Sequence, residues 1–127
     1  MPATTPCPCG SARPYGACCG PYHADDLPAP TAEALMRSRY AAYALGRHDY
    51  LLATWHPDTR AATVPPVEPG VRWLGLEIKR STSTDADHAT VEFVARSKFG
   101  GRAHRLHEVS RFVREGGRWY YRDGDLK

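Results

Sequence analysis

The 127-residue sequence lacks the apolar run of about 20 residues that is needed to cross a bilayer. Arginine or histidine interrupts every mainly apolar stretch, so no membrane span is expected. Residues 1–30 contain no apolar core of a secretory signal, which favours a cytoplasmic protein. No block of basic residues is present either. The net charge is +3, but the arginines are scattered among acidic residues, and this argues against nucleic-acid binding.

Cysteine is absent outside one short stretch, CPCGSARPYGACCG, which holds Cys7, Cys9, Cys18 and Cys19. This stretch is rich in proline and glycine and has no large aliphatic residue, so burial alone cannot offset the entropy of ordering it. Two close thiolate pairs suit a closed tetrahedral zinc site, and two disulfides or reactive free thiols are the alternatives. In a reducing compartment, clustered free thiols select soft metals. The sequence therefore predicts structural Zn²⁺ on four cysteines. His23 is a spare candidate ligand, but because four cysteines suffice, we expect it to be a solvated loop residue.

The same stretch resembles the SEC-C motif, a short zinc-binding segment of the preprotein translocase motor and of several unrelated bacterial proteins. The resemblance implies Cys7, Cys9, Cys18 and Cys19 as the metal ligands. The family often has a lysine-rich run between the two cysteine pairs, whereas this chain has a single cation there, Arg13.

Three regions follow from composition: a zinc knuckle over residues 1–22, an extended proline-rich linker over 23–30, and an α+β domain over 31–127. Thr31 is a suitable N-cap and Gly46 a suitable C-terminal stop for an amphipathic helix. Arg39 lies within the apolar stripe of this helix. Its guanidinium either reaches solvent or is buried facing a carboxylate or a ligand. A second short helix is expected over 48–57, followed by a proline-rich loop over 58–70.

From Val71 onward the apolar period changes from helical to two, which predicts β-strands. A polar turn is expected over 81–87, and paired glycines at 100–101 and 116–117 indicate hairpins. The sequence therefore predicts a four-stranded antiparallel meander packed on the N-terminal helices, an α+β domain.

Strict alternation places polar residues on the buried face of this sheet. The apolar members of the face are Leu74, Leu76, Ile78, Val91, Phe93, Ala95, Leu106, Phe112, Trp119 and Tyr121. Glu108, Ser110 and Asp123 share the same face, unless a β-bulge returns some of them to solvent. Buried carboxylates need partners, so we expect Glu108 and Asp123 to meet Arg39, Tyr43, His56 or a tyrosine hydroxyl. They form either a structural network or a ligand pocket.

The order of these motifs resembles the YchJ-like bacterial proteins, a family of unassigned biochemical role. The resemblance is carried by the cysteine knuckle, the segments TAEALMRSRYAAY and DYLLATWHP, and the hairpin LHEVSRFVREGGRWYYRDG. It implies the nuclear-transport-factor-2-like (cystatin-like) fold, a cone of strongly curved antiparallel sheet around the N-terminal helices, which often encloses a cavity. That fold hosts isomerases, dehydratases, transport factors and assembly domains, so it does not decide the function.

Two functions are consistent with the sequence. The first is a zinc-binding adaptor or ligand-binding protein, with a protein partner at the knuckle or a small molecule in the cone. The second is a small isomerase-like or hydrolase-like enzyme, in which Glu108 or Asp123 acts as acid or base while Arg39, His56 or Tyr121 orients the substrate. A homodimer is compatible with either function.

Overall fold

A computed structural model describes residues 4–24, 27–60 and 71–127. Most of the predicted loop over 58–70, and Asp25 and Asp26 of the predicted linker, lie outside the described residues. A short 3₁₀ turn at Tyr15–Ala17 is followed by three helices, α1 (Gly20–Ala24), α2 (Ala32–Leu45) and α3 (His48–Ala53). The strands are β1 (Arg72–Asp85), β2 (His88–Phe99), β3 (Arg102–Glu115) and β4 (Arg118–Leu126).

Helix α2 begins and ends where its sequence predicts. The Thr31 hydroxyl accepts a hydrogen bond from the amide of Ala34 at 3.1 Å and so caps the first turn. Gly46 ends the helix in the left-handed conformation, with φ of 74°, which glycine adopts without steric cost. Helix α3 ends at Ala53, earlier than expected, because Thr54 and His56 instead form backbone hydrogen bonds with Tyr121 of β4.

The four strands form one antiparallel sheet in the order β1-β2-β3-β4, which confirms the predicted α+β meander. Both glycine pairs have positive φ and form the tight turns between β2 and β3 and between β3 and β4. The polar turn expected over 81–87 is shorter than predicted. Strand β1 continues to Asp85, because Ser81 and Ser83 still pair with Val91 and Ala89 of β2.

Bulges change the alternation at two places that matter for the site. In β1 the register shifts between Trp73 and Gly75, so Leu74 is 55% exposed and Trp73 packs against the core instead. In β4 the register shifts beyond Tyr121: Phe112 pairs with Tyr121, and Arg111 pairs with Asp123. Arg122 is the extra residue, and Asp123 therefore lies on the outer face. The predictions of Leu74 and Asp123 as inward-facing residues are wrong for this reason.

The helices pack against the inner face of the sheet and build one main core. It contains Leu35, Met36 and Tyr40 of α2 and the inward-facing residues of β2 and β3. All four cysteines belong to the same cluster, so the knuckle packs directly on the core of the domain. Among the described residues, none of the helices combines the length and the apolar content that crossing a bilayer requires.

Candidate functional site

The four cysteine side chains converge in a buried cluster. The sulfur atoms of Cys7, Cys9, Cys18 and Cys19 all lie within 4.8 Å of one another. The Sγ atoms of Cys9 and Cys18 are 3.6 Å apart, and those of Cys18 and Cys19 are 3.9 Å apart. In a tetrahedral zinc site with Zn–S bonds of about 2.3 Å, neighbouring sulfurs are about 3.8 Å apart. The cluster therefore has the donor set and the spacing that a four-coordinate metal requires.

The backbone between the two cysteine pairs turns tightly to bring the thiols together. Gly10 and Ala12 both have positive φ, and Cys7 donates its amide proton to the carbonyl of Arg13 at 2.9 Å. The Ser11 hydroxyl lies 3.1 Å from the Cys18 sulfur. Arg37 of α2 donates to the Cys9 carbonyl at 2.9 Å, which ties the loop to the helix.

The environments of the thiols favour one thiolate within the cluster even before metal is considered. A hydrogen bond from Cys19 lowers the pKa of Cys9 to about 4. Burial raises the pKa of Cys7 to about 11, and the hydrogen bond donated to Cys9 raises the pKa of Cys19. A cation is the natural partner for further thiolates at this site, because additional negative charge cannot be held there without compensation.

His23 is buried, which corrects the expectation of a solvated loop residue. It lies in α1, is 7% exposed, and its Nδ1 is 2.6 Å from the Tyr15 hydroxyl. Its Nε2 is 2.8 Å from the Ser38 carbonyl oxygen. Both ring nitrogens are thus engaged away from the sulfurs, and burial lowers the pKa of His23. His23 fastens the knuckle to α2 and is not part of the cysteine cluster.

A cavity of about 510 Å³ lies between α2 and the inner face of the sheet. Most of its wall is aromatic or aliphatic, and one wall residue, Leu106, is 40% exposed. The side chains with polar groups that line it are Arg39, Tyr40, Tyr43, Trp55, Trp73, Ser97, Glu108, Ser110 and Tyr121. Three of the residues named as pocket candidates from sequence, Arg39, Glu108 and Tyr121, therefore share this cavity.

Arg39 is buried, so the alternative in which it reaches solvent does not hold. Its Nη1 donates to the Leu51 carbonyl at 2.9 Å and to the Thr54 hydroxyl at 2.7 Å. Its guanidinium carbon lies 4.8 Å from the centre of the Tyr121 ring, a cation–π contact. Burial lowers the pKa of Arg39, although nearby Tyr43 and Tyr121 oppose this. Within the described ranges, no carboxylate lies at ion-pair distance from it.

Glu108 faces the cavity and is held by its neighbours on the sheet. Its Oε2 accepts a hydrogen bond from the Ser110 hydroxyl at 2.5 Å. The side chain leans over Gly124 of β4, where a β-carbon would overlap the carboxylate. Burial, and then the charge of Glu108, raise the pKa of Tyr121 to about 12. The cavity thus has an acidic group on the sheet and a basic group on α2.

Asp123 and His56 lie away from the cavity. Asp123 accepts a hydrogen bond from Arg111 at 2.5 Å on the outer face of the sheet. His56 is buried, but its Nε2 is 2.8 Å from a carboxylate oxygen of Glu115, and its ring lies against Tyr120. Tyr120 precedes Tyr121 and points to the opposite face, so His56 is separated from the cavity by β4. The expected meeting of Asp123 and His56 with the other candidates is wrong.

Comparisons with known proteins agree with this geometry. The sequence model described as "YchJ, middle NTF2-like domain" matches residues 31–124, and the model of the SEC-C motif matches residues 4–21. The chain belongs to the YchJ-like family. The resemblance inferred from the sequence is thereby confirmed.

Relatives of this YchJ-like chain match it along almost its full length. A UPF0225 protein of Methylibium petroleiphilum is 60% identical over 125 residues, which cover 98% of this chain and 90% of the relative. The solution structure of a SEC-C motif containing protein from Rhodopseudomonas palustris is 37% identical, with a TM-score of 0.84. It covers 97% of this chain and 99% of its own.

The crystal structure of a SEC-C motif containing protein from Psychrobacter arcticus is 28% identical, with a TM-score of 0.79. The match covers 98% of this YchJ-like chain and 84% of the other chain. The overall fold of the chain is therefore shared with solved structures of SEC-C motif containing proteins.

One cavity residue of this YchJ-like protein, Trp55, was not singled out from its sequence. The second helix expected over 48–57 includes Trp55, but α3 ends at Ala53, and Trp55 instead forms a parallel bridge with Tyr121. Its indole ring lies near Tyr121, and its Nε1 is buried without a hydrogen-bond partner in the described part of the chain. In the sequence, the signal for an early end of the helix is Pro57, two residues after Trp55.

Proposed function

We propose that this protein binds a small molecule in the cavity between α2 and the sheet, on a scaffold fixed by structural zinc in the cysteine cluster. The observation that carries the proposal is the cavity itself. It measures about 510 Å³, its walls are largely aromatic and aliphatic, and Arg39, Glu108 and Tyr121 converge in it. Ligand sites in proteins have this size and this kind of lining.

Zinc is proposed as the metal because of the chemistry and the spacing of its donors. Four sulfur ligands select soft or borderline ions, and the four sulfurs lie within 4.8 Å of one another as one cluster rather than as two bonded pairs. When bound, zinc would hold the two cysteine pairs together. Four thiolates complete a tetrahedron and leave no position for water or substrate, so the role would be structural.

A protein partner at the knuckle, as an adaptor would need, is the weaker candidate. The exposed residues of the knuckle loop include Ala12, Arg13, Pro14, Gly16 and Ala17. Tight docking surfaces usually present large aromatic or aliphatic anchors, and these residues offer none. The cysteines are buried in the core, which fits a scaffolding role better. A protein partner, a homodimer and a cytoplasmic location stay predictions.

For the enzyme alternative, the cavity keeps one of the two acidic groups that were expected in it. Of the two carboxylates expected in the pocket, only Glu108 lines the cavity, since Asp123 is bonded to Arg111 on the outer face. Among the described residues that line the cavity, there is therefore no second carboxylate for chemistry that needs two facing carboxylates. A mechanism with Glu108 as the sole acid or base, beside Tyr121 and Arg39, stays a prediction.

Native mass spectrometry of the full chain, purified without added metal or reductant, tests the proposal. We expect one zinc ion per chain, four reduced cysteines in the denatured mass, and a non-covalent companion molecule. The matched variants are Ser97→Phe, which places a ring in the cavity wall, and Thr82→Phe, on exposed β1 away from it. The first should lose the companion and the second should keep it.

Two outcomes would contradict the proposal. Two disulfides without zinc would overturn the metal site and would also count against the cytoplasmic prediction. Zinc without any companion, in wild type and both variants alike, would count against a ligand-binding cone and favour the adaptor.

A further inference from the structure

We infer that the ligand of the cavity is a monocarboxylic acid with an aromatic or aliphatic body, whose carboxylate binds Arg39 and the indole N–H of Trp55. This inference rests on the proposed ligand-binding function and specifies the chemical class of the ligand. It is carried by three features of the cavity: an unpaired buried donor, a buried cation whose described partners are uncharged, and one acidic group on the sheet.

The first feature is Trp55. Its Nε1 is buried and has no hydrogen-bond partner among the described residues, and its side chain lines the cavity. A buried donor without an acceptor costs about 1–3 kcal/mol, so native proteins leave few of them. Indole nitrogen is a donor only. A ligand that satisfies Trp55 must therefore present an acceptor oxygen or nitrogen at this position.

The second feature is Arg39. Its guanidinium donates to the Leu51 carbonyl and the Thr54 hydroxyl. It also has a hydrogen bond with the Tyr43 side chain and lies over the face of the Tyr121 ring. None of these carries a compensating charge, and a buried cation without one is costly. A carboxylate fits this position, since it supplies both the countercharge for Arg39 and an acceptor for Trp55.

The third feature limits the ligand to one negative group. Glu108 faces the same cavity, and one of its oxygens is already occupied by the Ser110 hydroxyl. Arg39 and Glu108 form no ion pair with each other, so each can meet its own group on a ligand. A second carboxylate near Glu108 would be repelled, whereas a hydroxyl or amino group would be accepted.

The remaining wall determines the body of the ligand. Met36, Tyr40, Trp73, Phe93 and Leu106 provide flat aromatic and aliphatic surfaces. Such walls favour an apolar, preferably aromatic, ligand through burial of its surface. A hydroxylated aromatic monocarboxylate therefore satisfies every part of the cavity.

Binding to a matched set of naphthalene probes tests this inference on the full-length, zinc-loaded protein. The set comprises 2-naphthoate, 6-hydroxy-2-naphthoate, 2-naphthol, 2-naphthylmethylamine and 2,6-naphthalenedicarboxylate, with dissociation constants measured by calorimetry. We expect the two monocarboxylates to bind at least about tenfold more tightly than the other three probes, since a hydrogen bond to a charged group contributes that much. Glu108→Gln should reduce the discrimination against the dicarboxylate.

The role of Trp55 has its own readout, because substitution of Arg39 would also remove bonds that hold α3. The indole N–H resonance of Trp55 should shift downfield with 2-naphthoate and much less with 2-naphthol. Trp55→Phe should weaken 2-naphthoate about tenfold and leave 2-naphthol unchanged. Trp119→Phe is the matched control, because Trp119 lies outside this cavity. It should not alter the binding of either probe.

The outcomes separate this inference from the function on which it rests. Binding of 2-naphthol or the amine as tightly as 2-naphthoate would overturn the carboxylate class but leave a ligand-binding cavity in place. Equal binding of 2-naphthoate by wild type and Trp55→Phe would overturn the role of the indole. Failure of every probe to bind, together with the absence of a companion molecule in the purified protein, would overturn both proposals.

Discussion

At the scale of single residues, Glu108 can hold its position in the cavity because Gly124, which faces it on β4, has no side chain. A methyl group there would lie 2.8 Å from Cδ of Glu108. In Gly124→Ala the flexible Glu108 side chain must therefore turn away from Ser110. We expect a loss of about 1–2 kcal/mol in the free energy of unfolding, measured by chemical denaturation, because the buried Ser110 hydroxyl loses its charged partner.

Two further variants decide whether this contact is the cause. Gly75→Ala is the matched control in β1, since a β-carbon there would meet nothing within 4 Å, and it should leave stability nearly unchanged. In a Glu108→Ala background, Gly124→Ala should cost almost nothing. If it costs as much as in the wild type, the explanation through Glu108 is wrong.

Residue positions were predicted well where alternation holds and badly where the register shifts. Phe93, Ala95, Glu108 and Tyr121 face inward as period two requires. Asp123 does not, because one extra residue in β4 reverses every side chain beyond it. No local signal in the sequence marks a bulge at Arg122. His23 was misjudged for a different reason: its burial depends on Tyr15 and Ser38, which only the tertiary fold brings to it.

At the scale of elements, α2 connects the cysteine cluster with the cavity. One side of it supplies Arg37, which donates to the Cys9 carbonyl, and another supplies Arg39 to the cavity. Groups that hold metal ligands in place commonly contribute about tenfold or more to metal affinity. We therefore expect Arg37→Met to raise the zinc dissociation constant about tenfold, measured by competition with a chromophoric chelator.

A matched arginine controls for the loss of charge. Arg60 also donates to a backbone carbonyl, but its acceptor is Leu52, which lies on α3 and away from the cysteines. Arg60→Met should leave zinc affinity unchanged. Equal effects of the two substitutions would mean that net charge, rather than the bond to Cys9, governs metal retention.

The elements themselves were predictable because their signals are local. Thr31 and Gly46 bound α2 through a side-chain cap and a left-handed glycine, and the two glycine pairs form the hairpin turns. The end of α3 was placed too late, since its last predicted residues pair with β4, and that pairing is made by a distant part of the chain. Local patterns thus predicted the fold class and the two elements that enclose the cavity, α2 and the sheet. They did not predict the position of Trp55.

At the scale of the whole molecule, the cysteine cluster and the sheet share one hydrophobic core, so metal and fold should be coupled. Cys9 and Cys19 are almost fully buried in the same cluster as Leu35, Val91 and Phe93. A ligand present at about 1,000 times its dissociation constant stabilises a fold by about 4 kcal/mol. For a chain of this size we expect removal of zinc to lower Tm by about 15 °C.

Hydrogen exchange distinguishes this coupling from the unfolding of an independent knuckle. With the metal removed by a chelator, the amides of Val91 and Phe93 in β2 should exchange faster, together with those of the knuckle, because one cooperative unit loses stability. Restoring zinc should restore protection in both regions. If the β2 amides keep their protection while only residues 4–21 exchange faster, the knuckle is a separate folding unit. Its burial against α2 then contributes little to the stability of the cone.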